Sequence, residues 1–295
     1  MSVGQKKSGQ IALNIVFILL VVITVAPLLI LLSSSFTEEA TLLREGYNFF
    51  PRKFSLEAYQ YLFSSSTKII RACGITFFVT FMGTAANLIL TLLFAYPLSR
   101  KELPFRSAIS FYVFFTMLFN GGLVPTYMMW TQTFGIKNTV WALIVPRLMM
   151  NAFYIIMMRS YFQSAIPDSL IEAARIDGCG EFRILLKIVL PLSKPMVATI
   201  ALMVGLGYWN DWMNSLYFVT DESLFSIQAM LNTIMTNIQF LASSPAGSVG
   251  SGAAAIPSAG VRMAIAVIGV VPILCIYPFF QKYFVKGIVV GGVKG

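Results

Sequence analysis

Long apolar runs without a single charge constrain this chain of 295 residues more than any other feature. Ile11–Leu32 and Ala72–Ser99 contain no Asp, Glu, Lys or Arg. A helix needs about 20 residues to cross the hydrocarbon core of a bilayer, so each run is long enough to span a membrane. Only 11% of the residues are charged, against about 25% in soluble domains. The sequence therefore predicts an all-α integral membrane protein.

Further apolar stretches extend the pattern to six predicted transmembrane helices: 107–130, 139–158, a stretch from Pro195 onwards, and 263–281. Asn120-Gly121-Gly122 and Pro125 interrupt the third span. We expect a kink there, which membrane helices tolerate where protein or water covers the backbone. The six spans form a predicted domain over 11–285, between an N-terminal tail of residues 1–10 and a C-terminal tail of residues 286–295.

The distribution of Lys and Arg predicts the orientation. Thirteen of these residues fall in segments on one side of the six spans and five on the other, and the richer side faces the cytoplasm. Both tails are therefore predicted to be cytoplasmic. The segment 214–261 has neither Lys nor Arg, so we expect an external loop whose Gly- and Ser-rich second half is mobile. The net charge of +9 reflects the cytoplasmic loops, and no basic patch indicates nucleic-acid binding.

The composition excludes several chemistries. The chain has no His, which excludes histidine-based zinc hydrolases and Ser-His-Asp triads. Its three cysteines are isolated, so no disulfide framework, redox motif or metal site is expected.

A polar segment, residues 167–194, separates the fourth and fifth predicted spans. Gly178 and Gly180 are expected to end a first short helix, a second begins near Glu181, and Pro191 ends it. This two-helix segment is predicted to lie on the cytoplasmic side as a docking surface for another protein.

Glu172 has two interpretations. Ser169 and Glu172 have the spacing of a capping box, in which the carboxylate binds a free backbone N–H of its own helix. An exposed carboxylate could instead accept an Arg from a partner, next to Ala173 and Ala174, whose small side chains permit close approach of a partner backbone.

The longer pattern resembles a known family. Glu172-Ala173-Ala174, then Asp177-Gly178, then Ile188-x-Leu190-Pro191 match the EAA loop of permease subunits in bacterial ABC importers. The stretches GLVPTYMMW, FGIKNTVWALIVP, YWNDWMNSLYF and the closing GGVKG are similar to the smaller permease of the maltose-type carbohydrate importers, in the branch with oligosaccharide and alginate importers.

The resemblance implies half of a transmembrane pathway for carbohydrate (oligosaccharide) uptake in a bacterial inner membrane. It implies a coupling site for an ATPase, made of Glu172, Ala173, Ala174, Asp177, Gly178, Ile188 and Pro191. It implies a C-terminal ATPase contact at Gly291, Gly292 and Lys294, and contact of the Gly-rich external loop with a binding protein. The implied partners are a second permease subunit, two ATPase subunits, an extracytoplasmic solute-binding protein, the sugar and membrane lipid.

The chain has no Walker A motif, so ATP and Mg²⁺ are expected on the partner ATPase subunits, and this chain is not expected to be an enzyme by itself or to hold a cofactor.

Ionisable and aromatic residues in the spans are candidates for the substrate pathway. Arg147 and Asp211 lie at similar predicted depth, so they either pair or line the outer pathway, or each extends to the outer surface. Tyr208, Trp209 and Trp212 either stack on sugar rings or form an interfacial aromatic belt. Further polar candidates are Asn87, Asn151, Tyr154 and Asn210.

Two other classes of protein compete with this interpretation. An ion-coupled secondary sugar transporter would need a relay of carboxylates in the membrane, and the spans contain only Asp211. A membrane enzyme would need catalytic groups, but the chain lacks His and has no paired carboxylates in its spans.

Overall fold

The structure is a computed structural model that describes residues 7–64, 66–146, 149–243 and 258–292. These residues form helices and connecting turns without a β-strand, apart from one isolated antiparallel bridge between Thr37 and Phe54. The prediction of an all-α architecture is confirmed for this part of the chain.

The helices of the described residues are, in chain order, α1 (Lys7–Ser35), α2 (Glu39–Glu45), α3 (Glu57–Ser64), α4 (Ser66–Ser99), α5 (Arg106–Leu118), α6 (Leu123–Met128), α7 (Trp141–Ile144), α8 (Ala152–Ala165), α9 (Asp168–Ile176), α10 (Glu181–Ile184), α11 (Leu190–Leu192), α12 (Lys194–Trp209), α13 (Met213–Phe218), α14 (Ile227–Ser243) and α15 (Ser258–Gly292). A π-helical turn, Met129–Thr133, extends α6; another, Leu185–Val189, joins α10 to α11; and a 3₁₀ turn covers Glu222–Leu224.

Three described helices are long and apolar enough to cross a membrane, over Gly9–Ser35, Thr67–Ser99 and Ala259–Phe279. Two bent pairs of helices bring the number to five if each pair is one span. In one pair, Arg106–Leu118 meets Leu123–Thr133 at 111°. The predicted break at Asn120-Gly121-Gly122 is therefore confirmed, whereas the total of six spans stays a prediction.

The fourth predicted span, 139–158, is not one helix. It consists of α7 and the first half of α8, which continues to Ala165. Pro146 cannot donate a backbone hydrogen bond. The carbonyls of Ile144 and Pro146 accept side-chain hydrogen bonds, from Tyr208 Oη at 2.8 Å and Asn214 Nδ2 at 3.0 Å. Donors more than 60 positions away along the chain thus satisfy these two carbonyl groups where the helix is interrupted. A hydropathy pattern cannot predict such distant partners.

Two segments predicted as loop or tail are partly helical. The predicted external loop, 214–261, contains α14, whose apolar residues recur at helical spacing. The Gly- and Ser-rich part predicted to be mobile is 243–260. Its ends are helical, at Ser243 of α14 and at 258–260 of α15, and 244–257 lie outside the described residues. Residues 286–292 of the predicted C-terminal tail continue α15.

The chain divides into two compact units, residues 1–69 with 233–272 and residues 70–232 with 273–295. In the first unit, the Glu39 carboxylate accepts the backbone N–H groups of Ala259 and Gly260 at 2.9 and 2.8 Å. These are orphan donors in the first turn of α15, and a carboxylate there is also favoured by the helix dipole. Glu39 therefore stabilises the start of that helix.

The core of the second unit is formed by α4, α5, α7, α8, α9, α10, α12 and α13. Its large side chains with under 2% exposure include Tyr208, Phe162 and Phe218. Helix α4 packs closely on α12 at Gly83, because a Cβ there would lie 2.6 Å from the Tyr208 ring carbons Cε1 and Cε2. Only glycine permits this approach.

We expect Gly83→Ala to destabilise the protein by about 1–3 kcal/mol, because the added methyl group overlaps the buried Tyr208 ring. Gly74→Ala, in the same helix and with open space around it, is the matched control and should be neutral or slightly stabilising. The measurement is the apparent melting temperature of the purified protein in detergent. Equal melting temperatures for Gly83→Ala and wild type would show that the two helices separate easily at this point.

Candidate functional site

The polar segment 167–194 forms the predicted pair of short helices. Helix α9 ends at Ile176, and Gly178 adopts a φ of +77°, the left-handed region that glycine enters at low cost. The chain then re-enters helix at Glu181 and meets α12 at 84°. The end of the second helix differs from the prediction, because the helical turns continue through Pro191 to Leu192. Pro191 follows the π-helical turn Leu185–Val189 and has no backbone N–H to donate.

One face of the two helices is buried in the core of this chain. Ile171, Ile184 and Val189 are at most 2% exposed. Ala174 is also buried, at 6% exposure, so the prediction that it forms part of a docking surface is wrong. Its small side chain instead permits α9 to pack closely on its own protein.

The opposite face is open. Glu172, Ala173 and Asp177 are exposed, and so are two large apolar side chains, Ile176 at 86% and Phe182 at 65%. Large apolar side chains exposed on a polar segment are typical of a surface that another protein covers.

The capping box does not form. Pro167 occupies the N-cap position of α9, and no side chain caps this end. Glu172 has no hydrogen bond or ion pair with another described residue. Its carboxylate therefore remains available, which favours the second of its two interpretations.

Asp168 attaches the start of α9 to the short loop after α4. Its carboxylate lies 3.0 Å from Lys101 Nζ and 3.6 Å from an Arg100 guanidinium nitrogen. The hydrogen bond from Lys101 and the positive charges of Lys101 and Arg100 hold the pKa of the Asp168 carboxyl below its usual value. The contact is therefore complete at neutral pH and is lost only when the pH falls through that lowered pKa.

Arg175 and Glu181 join the two short helices to each other and to α4. Arg175 Nε donates to Glu181 at 2.7 Å, and a second guanidinium nitrogen lies 3.6 Å from Glu102. The hydroxyl of Tyr96, near the end of α4, donates to the other Glu181 oxygen at 2.6 Å. The hydrogen bond to Glu181 raises the pKa of the Arg175 guanidinium, so this cation persists at physiological pH.

Sequence reasoning did not find these clamping residues, which are Tyr96, Arg100, Lys101, Glu102, Asp168, Arg175 and Glu181. One signal was available, since the short loop after α4 and the polar segment both carry mixed charges on the same predicted side of the membrane. The pairing itself depends on tertiary structure.

Two aromatic candidates for sugar binding are buried. Tyr208 is 2% exposed and donates its hydroxyl hydrogen to Ile144 O, so neither stacking on a sugar ring nor a place in an interfacial aromatic belt fits it in this structure. Trp209 is 5% exposed and packs edge-on against Phe77, with ring centroids 5.2 Å apart. It belongs to the packing between α12 and α4, whereas Trp212 is 38% exposed.

Asp211 orders the turn between α12 and α13. Its Oδ1 accepts the backbone N–H groups of Met213 and Asn214 at 3.1 and 3.3 Å, as an N-terminal capping carboxylate does. Asn210 is exposed and donates through Nδ2 to Leu206 O at 2.9 Å. Arg147 lies outside the described residues, so its pairing with Asp211 stays a prediction.

The other polar candidates have structural contacts. Asn87 is fully buried and accepts a hydrogen bond from Thr91 at 3.2 Å, so it does not line an open cavity, contrary to the prediction. Asn151 caps α8 by accepting the Phe153 N–H at 2.9 Å. Tyr154 is half-buried, with its ring 5.8 Å from that of Phe153.

Gly291 and Gly292 form the end of α15, and Lys294 lies outside the described residues. Ile188, in the second π-helical turn, is half-buried. In the part of the chain that the structure describes, no three Cys, Asp or Glu side chains are grouped so as to hold a metal ion.

Comparison with known proteins identifies the family. Residues 103–290 match the family described as the inner membrane component of binding-protein-dependent transport systems. The chain belongs to this family. It is 39% identical to Protein LplC of Bacillus subtilis over 273 residues, which cover 92% of this chain and 90% of that protein.

Two further relatives of this transport component support the assignment. The polygalacturonan/rhamnogalacturonan transport system permease protein YtcP of Bacillus subtilis is 39% identical, over 92% of this chain and 93% of YtcP. A solved structure of a bacterial ABC transporter involved in import of the acidic polysaccharide alginate matches with a TM-score of 0.79 and 28% identity. That match covers 95% of this chain and 99% of the other.

The family membership confirms the interpretation of the chain as a permease subunit of an ABC importer, a multi-pass inner-membrane protein that works with other ABC components. Neither a membrane enzyme nor an ion-coupled secondary transporter is favoured.

We expect Tyr96→Phe to weaken the attachment of the two short helices of this permease to α4 by about 1 kcal/mol. A hydrogen bond to a charged group contributes about 1.5–3 kcal/mol, and the solvent exposure of Glu181 reduces that value. The readout is the apparent melting temperature, with Tyr112→Phe as the control because Tyr112 is 67% exposed. A Tyr96→Phe/Glu181→Gln double variant should lose less than the sum of the single variants; strict additivity would disprove the contact.

Proposed function

We propose that residues 167–194 are the coupling loop through which an ATPase subunit moves this permease. The observation that carries the proposal is the two-sided character of the loop. One face is buried in the core and fixed by ion pairs. The exposed part presents the available Glu172 carboxylate, with Ile176 one turn further along α9, and the exposed Phe182 on the second helix. An Arg of the ATPase would bind Glu172, and the two apolar side chains would fill a groove on it.

The clamps make the loop move with several helices rather than with its direct neighbours alone. Asp168 forms an ion pair with Lys101 in the loop after α4, and Glu181 accepts a hydrogen bond from Tyr96 near the end of α4. The second short helix continues into α12. The buried side chains of Ile171 and Val189 add packing contacts in the core. Displacement of the loop would therefore reach α4, α8 and α12 together. ATP favours one global state of the transporter, and the loop passes on that bias.

We propose six transmembrane spans with both termini in the cytoplasm. The Lys and Arg distribution supports this topology. The contacts of Asp168 with Arg100 and Lys101 support it independently, since they bring the short loop after α4 and the segment 167–194 to the same end of the helices. In a six-span topology with cytoplasmic termini, both segments lie inside.

The complex would contain a second permease subunit, two ATPase subunits and an extracytoplasmic solute-binding protein. The description of the family as binding-protein-dependent supports the presence of a solute-binding protein in the complex. The ATPase subunits would bind ATP and Mg²⁺. The end of the chain, with Gly291, Gly292 and Lys294, would provide a second contact with the ATPase.

The proposed substrate is an oligosaccharide. Support comes from the printed functions of two relatives, the permease YtcP for polygalacturonan or rhamnogalacturonan and the alginate importer. Because Tyr208, Trp209 and Asn87 are buried, the proposed pathway contacts of this chain are Asn210, Asp211 and Trp212, together with Arg147.

We expect Glu172→Lys to abolish co-purification of the ATPase subunit, because it places a cation opposite the proposed Arg. Glu57→Lys makes the same charge change on an exposed residue of α3 and is the control. The measurement is the amount of ATPase subunit retained with the affinity-purified permease. Wild-type retention in Glu172→Lys would exclude Glu172 from the coupling contact.

Uptake should require ATP and should not depend on an ion gradient. In proteoliposomes with the complete transporter, ATP inside the vesicles and loaded binding protein outside, an ionophore that dissipates proton and sodium gradients should leave oligosaccharide uptake unchanged. Omission of ATP should abolish it. Uptake that follows the ion gradient without ATP would instead establish the ion-coupled alternative.

A further inference from the structure

Two arginines lie close together at the end of the helix bundle that carries the two short helices. Arg106 begins α5, and its Nε donates to Leu98 O at 3.0 Å. Arg159, in α8, donates to the Ser110 hydroxyl at 3.0 Å. Ser110 lies four residues after Arg106 in α5, so Arg159 contacts α5 one helical turn after the residue Arg106. The positive charge of Arg106 acts repulsively on Arg159.

No described carboxylate neutralises this pair. The neighbouring arginines Arg100 and Arg175 each contact an acidic side chain, at 3.6 and 2.7 Å. Arg106 and Arg159 form no ion pair with another described residue, and the buried Nε of Arg159 has no hydrogen-bond partner there. Both side chains are half-buried. Two repelling cations and an unsatisfied donor at a membrane boundary are costly without a counter-anion.

The start of α5 adds further positive potential. Phe105 occupies its N-cap position and no side chain caps this helix of 13 residues. The first N–H groups of an α-helix lack intrahelical acceptors, and the helix dipole places a partial positive charge there. Phosphate groups bind at such helix ends. The uncapped end of α5 begins at Arg106, so it reinforces the two guanidinium groups.

The surroundings favour a lipid over a soluble anion. Exposed aromatic side chains flank the pair on α5, namely Phe105 at 83%, Phe111 at 66% and Tyr112 at 67%. Aromatic residues concentrate where membrane meets water. The same end of the helices carries the contact between Lys101 and Asp168, so under the proposed topology the site faces the cytoplasmic leaflet.

We propose that Arg106, Arg159 and the first turn of α5 bind the phosphate group of an anionic phospholipid, whose acyl chains lie along the exposed face of α5. Basic pockets between transmembrane helices on the cytoplasmic side bind anionic headgroups in this way, and arginine is suited to bidentate binding of phosphate. This site is additional to the coupling loop and to the transport pathway.

The test uses the complete transporter complex, purified in detergent and delipidated, and titrated with phosphatidylglycerol under native mass spectrometry. Each basic residue near an anionic membrane contributes about 1 kcal/mol, so Arg106→Gln and Arg159→Gln should each weaken phosphatidylglycerol binding about fivefold. Arg106→Lys retains the charge and should remain within about twofold of wild type. The control is Lys137→Gln, an exposed lysine between α6 and α7, which should also leave binding unchanged.

Parallel titrations distinguish the sources of phosphate. Phosphatidylcholine should bind more weakly than phosphatidylglycerol, and inorganic phosphate should not displace the lipid. Displacement by inorganic phosphate would establish a site for a soluble anion and overturn the proposal. Wild-type lipid binding in both Gln variants, or an equal loss in Lys137→Gln, would overturn it as well. Loss of the ATPase subunit from the Gln variants, with unchanged lipid binding, would assign the arginines to a protein contact. Glu172→Lys remains the separate test of the coupling loop.

Discussion

The Glu181 carboxylate holds the two short helices of the segment 167–194 in place. One oxygen accepts the Arg175 guanidinium of α9, and the other accepts the Tyr96 hydroxyl of α4, so a single side chain joins both short helices to a long membrane helix. Burial of Ile171 and Ile184 provides most of the stabilisation, because exposed ion pairs contribute at most about 1 kcal/mol. The polar contacts instead determine the orientation of the two short helices. They determine which face of the loop is turned inwards, and consequently that Glu172 is turned outwards.

The second constraint is the broken backbone between α7 and α8. Carbonyl groups that a broken helix leaves free in the protein interior need donors from elsewhere in the protein. Tyr208 and Asn214 supply the donors, and glycine at position 83 makes room for the Tyr208 ring. A residue that would suit a sugar-binding surface thus holds the helices together. The break lies on the chain before α8, which leads directly into the segment 167–194.

Local patterns predicted much of this architecture. Uncharged runs predicted the three long membrane helices, the Asn120-Gly121-Gly122 stretch predicted a bend, and Gly178 predicted the turn between the short helices. These features depend on hydropathy and on backbone freedom, which are properties of neighbouring residues. The predictions that were wrong concern side chains with distant partners. Ala174 was expected on the docking surface, and Tyr208 either on a sugar ring or in an interfacial aromatic belt, yet both are buried in packing between helices.

The sequence by itself determined that the chain is a helical membrane protein, and that a charged segment with Glu172, a glycine turn and a second helix interrupts its spans. Only the tertiary structure decided which side chains face the interior and which charges are paired. The physical reason is the separation of the partners along the chain. Tyr96 reaches Glu181 across 85 positions and Tyr208 reaches Ile144 across 64, and in both cases the folded helices bring the donor to its acceptor. The same folding leaves Arg106 and Arg159 without an ion pair to any carboxylate among the described residues, although the chain contains 12 acidic residues.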